Sequence, residues 1–168
     1  KSRSRGLGYV YKRQGLILYF FPIGKKYNIK PGAPNHAERI EGGLLSYGND
    51  MLISDNPFEC GFEKLVHLND NVEFIGKDSL KKILKNGIKR KLMGVKINSD
   101  TLNLTSVDLL NKKKQIIGNL RSAAFSPTFK KIVGIAMINK EYCKNNEIFN
   151  INLNDNLIDG EVCELPII

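Results

Sequence analysis

NHAERIEGGLLSYGND, residues 35–50, is the stretch of this 168-residue sequence with the clearest local signal. Asn35 is a favoured helix N-cap, and Glu38, three positions later, can bond back to the cap in return. Pro34 disfavours helical backbone at the residue before it, so we expect no earlier start. The pattern predicts a helix over residues 36–47.

One side of this predicted helix is apolar, and another side carries two glycines. Ile40, Leu44 and Tyr47 recur at i, i+4 and i+7, which indicates a stripe that faces a core. Gly42 and Gly43 would lie inside the helix, where each costs roughly 1 kcal/mol against alanine. We therefore expect another body to approach the backbone closely there, either a second helix or a flat ligand ring.

The apolar period changes from about 3.6 to 2 after Gly87, and a helix is predicted just before it, over residues 78–86. Strands are predicted at residues 93–97, 115–124, 131–138, 149–153 and 157–164. Several short strands at regular spacing predict a small antiparallel barrel or sandwich. The fold class is therefore α+β, with an α+β piece over residues 15–87 and an all-β domain over residues 88–168.

The remaining segments carry weaker signals. Residues 16–27 are compatible with a helix, although their apolar pattern is poorly periodic. Residues 49–62 are predicted to form a loop, and residues 63–75 to be partly extended. A turn is predicted at residues 154–156.

The net charge of +9 is unevenly distributed along the chain. Residues 1–14 hold five basic residues and no acidic one, which leaves 21 basic against 17 acidic residues in the remainder. A mildly basic body fits an anionic small ligand as well as a nucleic acid. We expect residues 1–14 to be adaptor-derived or disordered, and the protein proper to begin within a longer fold.

Cysteine and histidine usage argues against disulfides and metal sites. The three cysteines are Cys60, Cys143 and Cys163. They are far apart and include no CxxC pair, which indicates a reduced, cytoplasmic location. His36 and His67 have no partners at metal-ligand spacing, so no metal site is expected. The apolar run at residues 16–21 is too short to span a bilayer, and no membrane partner is expected.

Candidate chemistry is sparse. Arg39 could hold a carboxylate through a bidentate pair, or could form a low-value surface pair with Glu38 or Glu41. Cys60 has no evident histidine base, so a buried, inert thiol is the preferred interpretation. The basic run at residues 89–91 is typical of the start of a strand, with its charged side chains in solvent. No nucleophile or phosphate-loop motif is present, and no catalytic residue is predicted.

Three ordered motifs resemble those of the glycine cleavage T-protein superfamily. RIEGGLLSYGND (39–50) resembles its R-[LI]-E-x-G-x-x-x-Y-G-[ND]-[DE] helix, and FIGK (74–77) resembles its F-[IPL]-G-[KR] element. SAAFSP (122–127) resembles the S-x-x-[FY]-S-P element of its C-terminal barrel. The resemblance covers residues 22–168. It implies the C-terminal part of the T-protein folate-binding fold, followed by a small antiparallel β-barrel.

Finer features favour the dimethylsulfoniopropionate demethylase branch of this superfamily: residues 32–50, 56–62, 118–138 and 162–166. The resemblance implies transfer of a methyl group from the sulfonium of dimethylsulfoniopropionate to N5 of tetrahydrofolate. The products would be methylthiopropionate and 5-methyltetrahydrofolate. A glycine-cleavage-type aminomethyltransferase is the alternative, and a non-catalytic binding module, for instance one that binds RNA, stays open.

The resemblance also implies particular site residues and partners. Arg39 would contact folate, Glu41 and Tyr47 would support that wall, and Arg121 would lie near the rim of the barrel. The expected partners are tetrahydrofolate, a small sulfonium or amine methyl donor, and the missing N-terminal half of the fold, but no nucleic acid. Because most of the substrate pocket would lie upstream, the chain alone is expected to be inactive.

Overall fold

The chain consists of two compact units, Lys1–Ala33 and Pro34–Ile168. The computed structural model describes residues 19–29, 35–69, 71–99, 107–153 and 156–167. In the first unit, residues 19–24 are helical and are followed by a 3-10 turn, Lys25–Tyr27. The helix predicted over residues 16–27 is present in its described part, and its start, like residues 1–14, lies outside the described residues.

A closed six-stranded antiparallel barrel forms the centre of the second unit. Its strands are β1 (Arg90–Ile97), β2 (Asp108–Leu110), β3 (Ile116–Ser126), β4 (Lys131–Asn139), β5 (Ile148–Leu153) and β6 (Asn156–Cys163). They pair in the order β1-β4-β3-β2-β5-β6, and β6 closes the barrel on β1. The seam between β2 and β5 consists of the single pair Leu110 and Asn150. The predicted antiparallel barrel is confirmed.

The five predicted strands correspond to β1, β3, β4, β5 and β6. The three-residue β2 was not predicted, because it is too short to show an alternating pattern. The turn predicted at residues 154–156 falls partly outside the described residues, and Asn156 already belongs to β6.

Side chains of alternate residues fill the barrel interior. Met93, Val95 and Ile97 of β1 all belong to this core, as their period of two predicted. The ring of Phe149 lies against Gly160 of the neighbouring strand, where an added Cβ would be 2.5 Å from Phe149 Cζ. Glycine at residue 160 therefore makes room for the largest side chain of the core.

Strand β4 is buried on both faces. Val133, Ile135 and Met137 alternate with its interior residues and form a second apolar cluster, outside the barrel, with Ile40 and Leu92. A strand covered on both sides has a continuous apolar sequence, which explains the run from Ile132 to Ile138. The second cluster attaches an outer layer, residues 35–62 and 164–167, to the barrel.

The helix predicted over residues 36–47 begins as expected but ends at Glu41. Asn35 Oδ1 accepts a hydrogen bond from Glu38 N at 2.9 Å, and Glu38 Oε2 accepts one from Asn35 N at 3.0 Å. The predicted capping box is therefore confirmed. We call this short element, His36–Glu41, the capped helix.

The two glycines end the capped helix instead of lying inside it. Gly42 is the C-cap, and Gly43 has a positive φ of 64°, a conformation that favours glycine. The predicted apolar stripe is consequently wrong after Ile40. Ile40 is fully buried, whereas Leu44 and Tyr47 are 54% and 71% exposed because they follow the helix.

The second predicted helix is confirmed as Lys77–Asn86, and it ends before Gly87, which has a φ of 77°. The segment 63–75, predicted to be partly extended, begins with a 3-10 turn, Glu63–Leu65, and Val66 directly after it has extended backbone. No strand is assigned to that segment among the residues that the structure describes.

The packed interior predicts a contrast between two isoleucines of β5. Ile151→Ala removes a fully buried side chain, and we expect the free energy of unfolding to fall by roughly 2–5 kcal/mol. Ile148→Ala is the matched control, because Ile148 is 43% exposed, and it should cost less than about 1 kcal/mol. Urea denaturation followed by circular dichroism measures both. Equal losses would contradict the filled interior.

Candidate functional site

A buried carboxylate lies where the capped helix, the loop after it and the barrel meet. Asp50 is fully buried. Its Oδ2 accepts hydrogen bonds from Arg39 Nη1 and from Ser46 N, both at 2.6 Å. Its Oδ1 accepts a hydrogen bond from Ser122 Oγ of β3. One carboxylate therefore joins three separate elements.

The guanidinium of Arg39 is only partly satisfied by this network. Nη1 donates to Asp50 and also to Leu44 O at 2.8 Å, and the side chain is 18% exposed. Nη2 is buried and has no hydrogen-bond partner among the described residues. The sequence offered Glu38 or Glu41 as the partner of Arg39 in a surface ion pair. In the structure, Arg39 pairs with Asp50 instead, and the Glu38 carboxylate caps the helix.

A β-bulge turns two consecutive side chains of β3 towards the outer layer. The register with β4 shifts between Leu120 and Ser122, so Arg121 is the additional residue. Leu120 belongs to the barrel core, whereas Arg121 Nη2 lies 3.6 Å from Asp55 Oδ1. Arg121 Nε is also buried and without a hydrogen-bond partner in the described part of the chain.

A second ionic cluster holds the loop 49–62 against β1. Arg90 Nη2 donates to Asp55 Oδ1 at 2.9 Å, and Arg90 Nε donates to Glu59 Oε1 at 3.1 Å. The Asp55 side chain is fully buried, and that of Arg90 is 34% exposed. The prediction of a solvated basic run at residues 89–91 is therefore wrong for Arg90, since its charge neutralises two carboxylates.

A cavity of about 380 Å³ lies between the turn that follows the capped helix and the C-terminal tail. Its walls come from residues 42, 43 and 45, from 60–62, 91–93 and 164–166, and from Cys143. The volume is within the range of small-ligand sites.

The C-terminal tail is the body that approaches Gly43, whereas a Cβ at Gly42 would meet only Glu38 O, Arg39 O and Leu44. A Cβ added at Gly43 would lie 3.3 Å from Leu165 Cβ and 3.5 Å from Pro166 Cα. Ile167 N donates to Glu41 O at 2.7 Å, which holds the tail in place. The expectation of a close approach is confirmed, but neither the second helix nor the ligand ring that was expected makes it.

The structure does not gather the three predicted folate residues in the cavity. Arg39, Glu41 and Tyr47 are absent from its lining. Arg39 is held in the Asp50 network, Glu41 is half-buried beside the tail, and Tyr47 is 71% exposed. Asp50, which organises Arg39, was not singled out from sequence, although it lies two residues after Gly48 in the quoted motif.

The cysteines lie in environments that disfavour the thiolate. Burial is the main cause that raises the pKa of Cys60 to about 11, and the nearby Asp55 and Glu59 add to it. Burial also raises the pKa of Cys163 to about 11. The prediction that Cys60 is a buried thiol is confirmed, since it is 8% exposed.

Within the described residues, no group of three or more histidine, cysteine and acidic side chains could hold a metal ion. No helix in the same part of the chain has the length and apolar character needed to cross a bilayer.

Residues 90–168 match the family described as glycine cleavage T-protein C-terminal barrel domain. The chain belongs to the glycine cleavage T-protein superfamily. The resemblance drawn from the three sequence motifs is thereby confirmed. The match covers the whole closed barrel, together with the C-terminal tail that packs on Gly43.

Relatives of this chain include a demethylase and aminomethyltransferases. Dimethylsulfoniopropionate demethylase DmdA of Ruegeria pomeroyi is 35% identical over 122 residues, which are 73% of this chain and 33% of that protein. An aminomethyltransferase of Thermosipho melanesiensis is 35% identical over 128 residues, which are 76% of this chain and 34% of that protein. This T-protein chain therefore spans about a third of the length of these relatives.

A solved structure shows the same T-protein fold. The glycine cleavage system aminomethyltransferase T from Bartonella henselae superposes with a TM-score of 0.73 and 22% sequence identity. The superposition covers 79% of this chain and 37% of that one.

The Asp50 network predicts a strong dependence of stability on one carboxylate. Asp50→Asn leaves the Arg39 charge without its buried partner and points an amide at existing donors, so we expect a loss of about 3–5 kcal/mol. Asp78→Asn is the control, because its carboxylate is 91% exposed and 4.0 Å from Lys81 Nζ. It should change stability by less than about 0.5 kcal/mol. Urea unfolding compares them, and similar values for the two variants would refute the network.

The raised thiol pKa values predict slow alkylation of the folded protein. At pH 8, Cys60 and Cys163 remain almost entirely protonated, and only the thiolate reacts readily. We expect little iodoacetamide labelling of both by mass spectrometry, and full labelling in urea. Labelling in the folded state should rise as the pH approaches 11. Rapid native labelling of Cys60 at pH 8 would contradict the assigned environment.

Proposed function

We propose that this chain is the C-terminal part of a tetrahydrofolate-dependent methyltransferase that demethylates dimethylsulfoniopropionate. The proposal is carried by one observation: the partly buried guanidinium of Arg39, fixed by Asp50, has a donor nitrogen without a partner among the described residues. The finer sequence features and the Ruegeria pomeroyi relative support dimethylsulfoniopropionate as the methyl donor.

Arg39 fits a folate-type ligand because of how its nitrogens are divided. Asp50 and Leu44 O occupy Nη1, which fixes the plane of the guanidinium. Nη2 has no partner among the described residues, and an acceptor oxygen of an anionic ligand would supply one once neighbouring side chains move, because this nitrogen is itself buried. Glu41 and Tyr47 would support this wall, and the exposed ring of Tyr47 offers a flat apolar surface.

The proposed reaction needs little covalent help from the protein. A sulfonium carbon is electrophilic, and its sulfur leaves as a neutral thioether while tetrahydrofolate N5 supplies the electron pair for the new bond. N5 then releases its proton to solvent, which gives neutral 5-methyltetrahydrofolate. The protein must therefore align donor and acceptor and exclude water. Arg39, Glu41 and Tyr47 would contribute alignment. None of them is assigned a proton transfer or a covalent step.

Aminomethyl transfer of the glycine-cleavage type is the second candidate. The Thermosipho melanesiensis aminomethyltransferase has the same 35% identity over a slightly longer stretch than the demethylase relative. The same Arg39 arrangement would serve either reaction, because both candidates use a folate acceptor. The two differ in the donor.

Two hybrid enzymes test the reaction. Residues 34–168 would be joined behind the upstream two thirds of the Ruegeria pomeroyi relative or of the Thermosipho melanesiensis relative. We expect tetrahydrofolate-dependent loss of dimethylsulfoniopropionate in the first hybrid and no turnover of either donor by the 168-residue chain alone. Aminomethyl transfer by the second hybrid, with an inactive first hybrid, would favour the second candidate.

The role of Arg39 is tested in the active hybrid. Arg39→Lys keeps a cation beside Asp50 but removes the Nη2 donor, so tetrahydrofolate should bind about tenfold more weakly or worse. Lys89→Ala removes an exposed charge and serves as the control, with unchanged affinity expected. Calorimetry measures both variants, and unchanged affinity in Arg39→Lys would refute the assignment.

A further inference from the structure

A second cavity, of about 440 Å³, lies at one end of the barrel and is lined by residues 111–113, 115, 142 and 146–148. We call it the barrel-end pocket. Its walls come from the loop that joins β2 to β3 and from the segment that leads into β5. No residue lines both this pocket and the cavity beside the C-terminal tail. In the closed order of strands, β5 is opposite β4, whose outer face packs against the outer layer.

The first loop of the pocket is fixed by one asparagine side chain. Asn111 Oδ1 accepts hydrogen bonds from Lys113 N at 2.9 Å and from Gln115 N at 3.0 Å. Asn111 Nδ2 donates to Gln115 Oε1 at 2.9 Å and to Tyr142 OH at 3.1 Å. Because Asn111 bonds within its own loop and also to Tyr142, it holds the two walls of the pocket together.

The second wall is held by the barrel core and by β6. Tyr142 packs against the core, and Asn146 N donates to Val162 O at 2.8 Å. Since the Tyr142 oxygen accepts the hydrogen bond from Asn111, its own proton is available for donation to a ligand. Asn146 in this wall and Lys114 in the first loop have positive φ values of 63° and 59°. Such backbone is costly outside glycine and is concentrated at functional sites.

The barrel-end pocket carries an excess of positive charge. Residues 111–115 and 140–148 together contain five lysines and two glutamates. Lys112 and Lys113 line the pocket, and both are exposed. A lysine ammonium binds phosphate as a point charge. The pocket therefore favours an anionic ligand that carries acceptor oxygens.

Other lining groups fit hydroxyls better than a second anion. Glu147 is partly buried in the wall, and its carboxylate accepts hydrogen bonds but repels anions. The side-chain amide of Asn146 can both donate and accept, and Gln115 Nε2 can donate. Ile148, which is 43% exposed, adds an apolar surface for the carbon atoms of a ring. A bare inorganic anion would leave these groups without a partner.

We propose that the barrel-end pocket binds a small phosphorylated sugar. Lys112 and Lys113 hold the phosphate, while Asn146, Glu147 and the Tyr142 hydroxyl bond to the hydroxyls of the sugar. The volume of about 440 Å³ is in the range of small-ligand sites, many of which lie in the mouths of barrels. The site is independent of the proposed reaction, since no residue given a role in tetrahydrofolate binding lines the pocket.

Titration of the 168-residue chain with ribose 5-phosphate, followed by nuclear magnetic resonance, tests the site. We expect a dissociation constant of about 1 mM or lower. The shifts should be concentrated in the side-chain amide signals of Asn111, Gln115 and Asn146. Ribose alone and inorganic phosphate alone, at the same ionic strength, should each bind about tenfold more weakly, because each engages only part of the pocket.

Two double variants test the role of the lysines. Lys112→Gln combined with Lys113→Gln should weaken ribose 5-phosphate binding about tenfold and leave the melting temperature unchanged, because both side chains are exposed. Lys130→Gln combined with Lys131→Gln is the matched control. These residues lie where β3 turns into β4, at the other end of the barrel, so binding should persist.

Tyr142→Phe tests the sugar side of the pocket. The variant keeps the ring that packs on the core but removes the hydroxyl. Ribose 5-phosphate should bind about threefold more weakly or worse, whereas the affinity for inorganic phosphate should stay the same. Equal losses for the two ligands would contradict the assignment of this hydroxyl to the sugar and overturn the proposal.

Further outcomes would overturn the proposed ligand. Equal losses in the two double variants would indicate unspecific charge attraction, and no shifts at about 10 mM ribose 5-phosphate would exclude the site. Inorganic phosphate that binds as tightly as ribose 5-phosphate would exclude a sugar. A single-stranded oligoribonucleotide that binds more tightly, and is lost in the Lys112 and Lys113 double variant, would make a nucleic acid the occupant. Because the assay needs neither turnover nor folate, its failure is distinct from failure of the proposed reaction.

Discussion

The buried carboxylate of Asp50 is the constraint on which the arrangement of the outer layer depends. A buried charge is costly unless it is paired and hydrogen-bonded. Here the compensating donors come from the capped helix, from the loop that contains Asp50, and from β3 of the barrel. Since each element supplies one donor, none can shift without leaving the carboxylate under-satisfied. A polar contact thereby fixes the register of the layer, while the apolar cluster beneath it supplies the burial.

The barrel can serve this carboxylate because β3 contains a bulge. In a regular strand Arg121 and Ser122 would point to opposite faces. The additional residue lets Ser122 reach Asp50 while Arg121 reaches Asp55, so two acids of one loop are held by neighbouring side chains. Arg90 of β1 completes the pairing of Asp55 from the other side. The loop is thus tied to two strands that are not adjacent in the barrel, which stiffens the layer as a whole.

The sequence predicted the features that neighbouring residues determine. It did not predict contacts between residues that are far apart in the chain. The alternation in β1 and β5 and the Asn35–Glu38 cap are short-range patterns, and both appear in the structure. The end of the capped helix was missed because the apolar spacing continued past Gly42, although the glycine pair there is equally a stop signal. Asp50 was missed because its partner Ser122 lies 72 residues away and reaches it only through a bulge. Such a pairing leaves no periodic trace.

In the proposed function, the ion pair that stabilises the layer also orients the nitrogen that Arg39 would offer to a ligand. A free guanidinium would present all its nitrogens and change rotamer at will, whereas Asp50 and Leu44 O hold Nη1 and leave Nη2 in one direction. Because the side chain is already fixed, less conformational entropy is lost when a ligand binds. In the proposed role, the buried pair with Asp50 is therefore also the source of preorganisation, and a substitution of Asp50 would change stability and folate binding together.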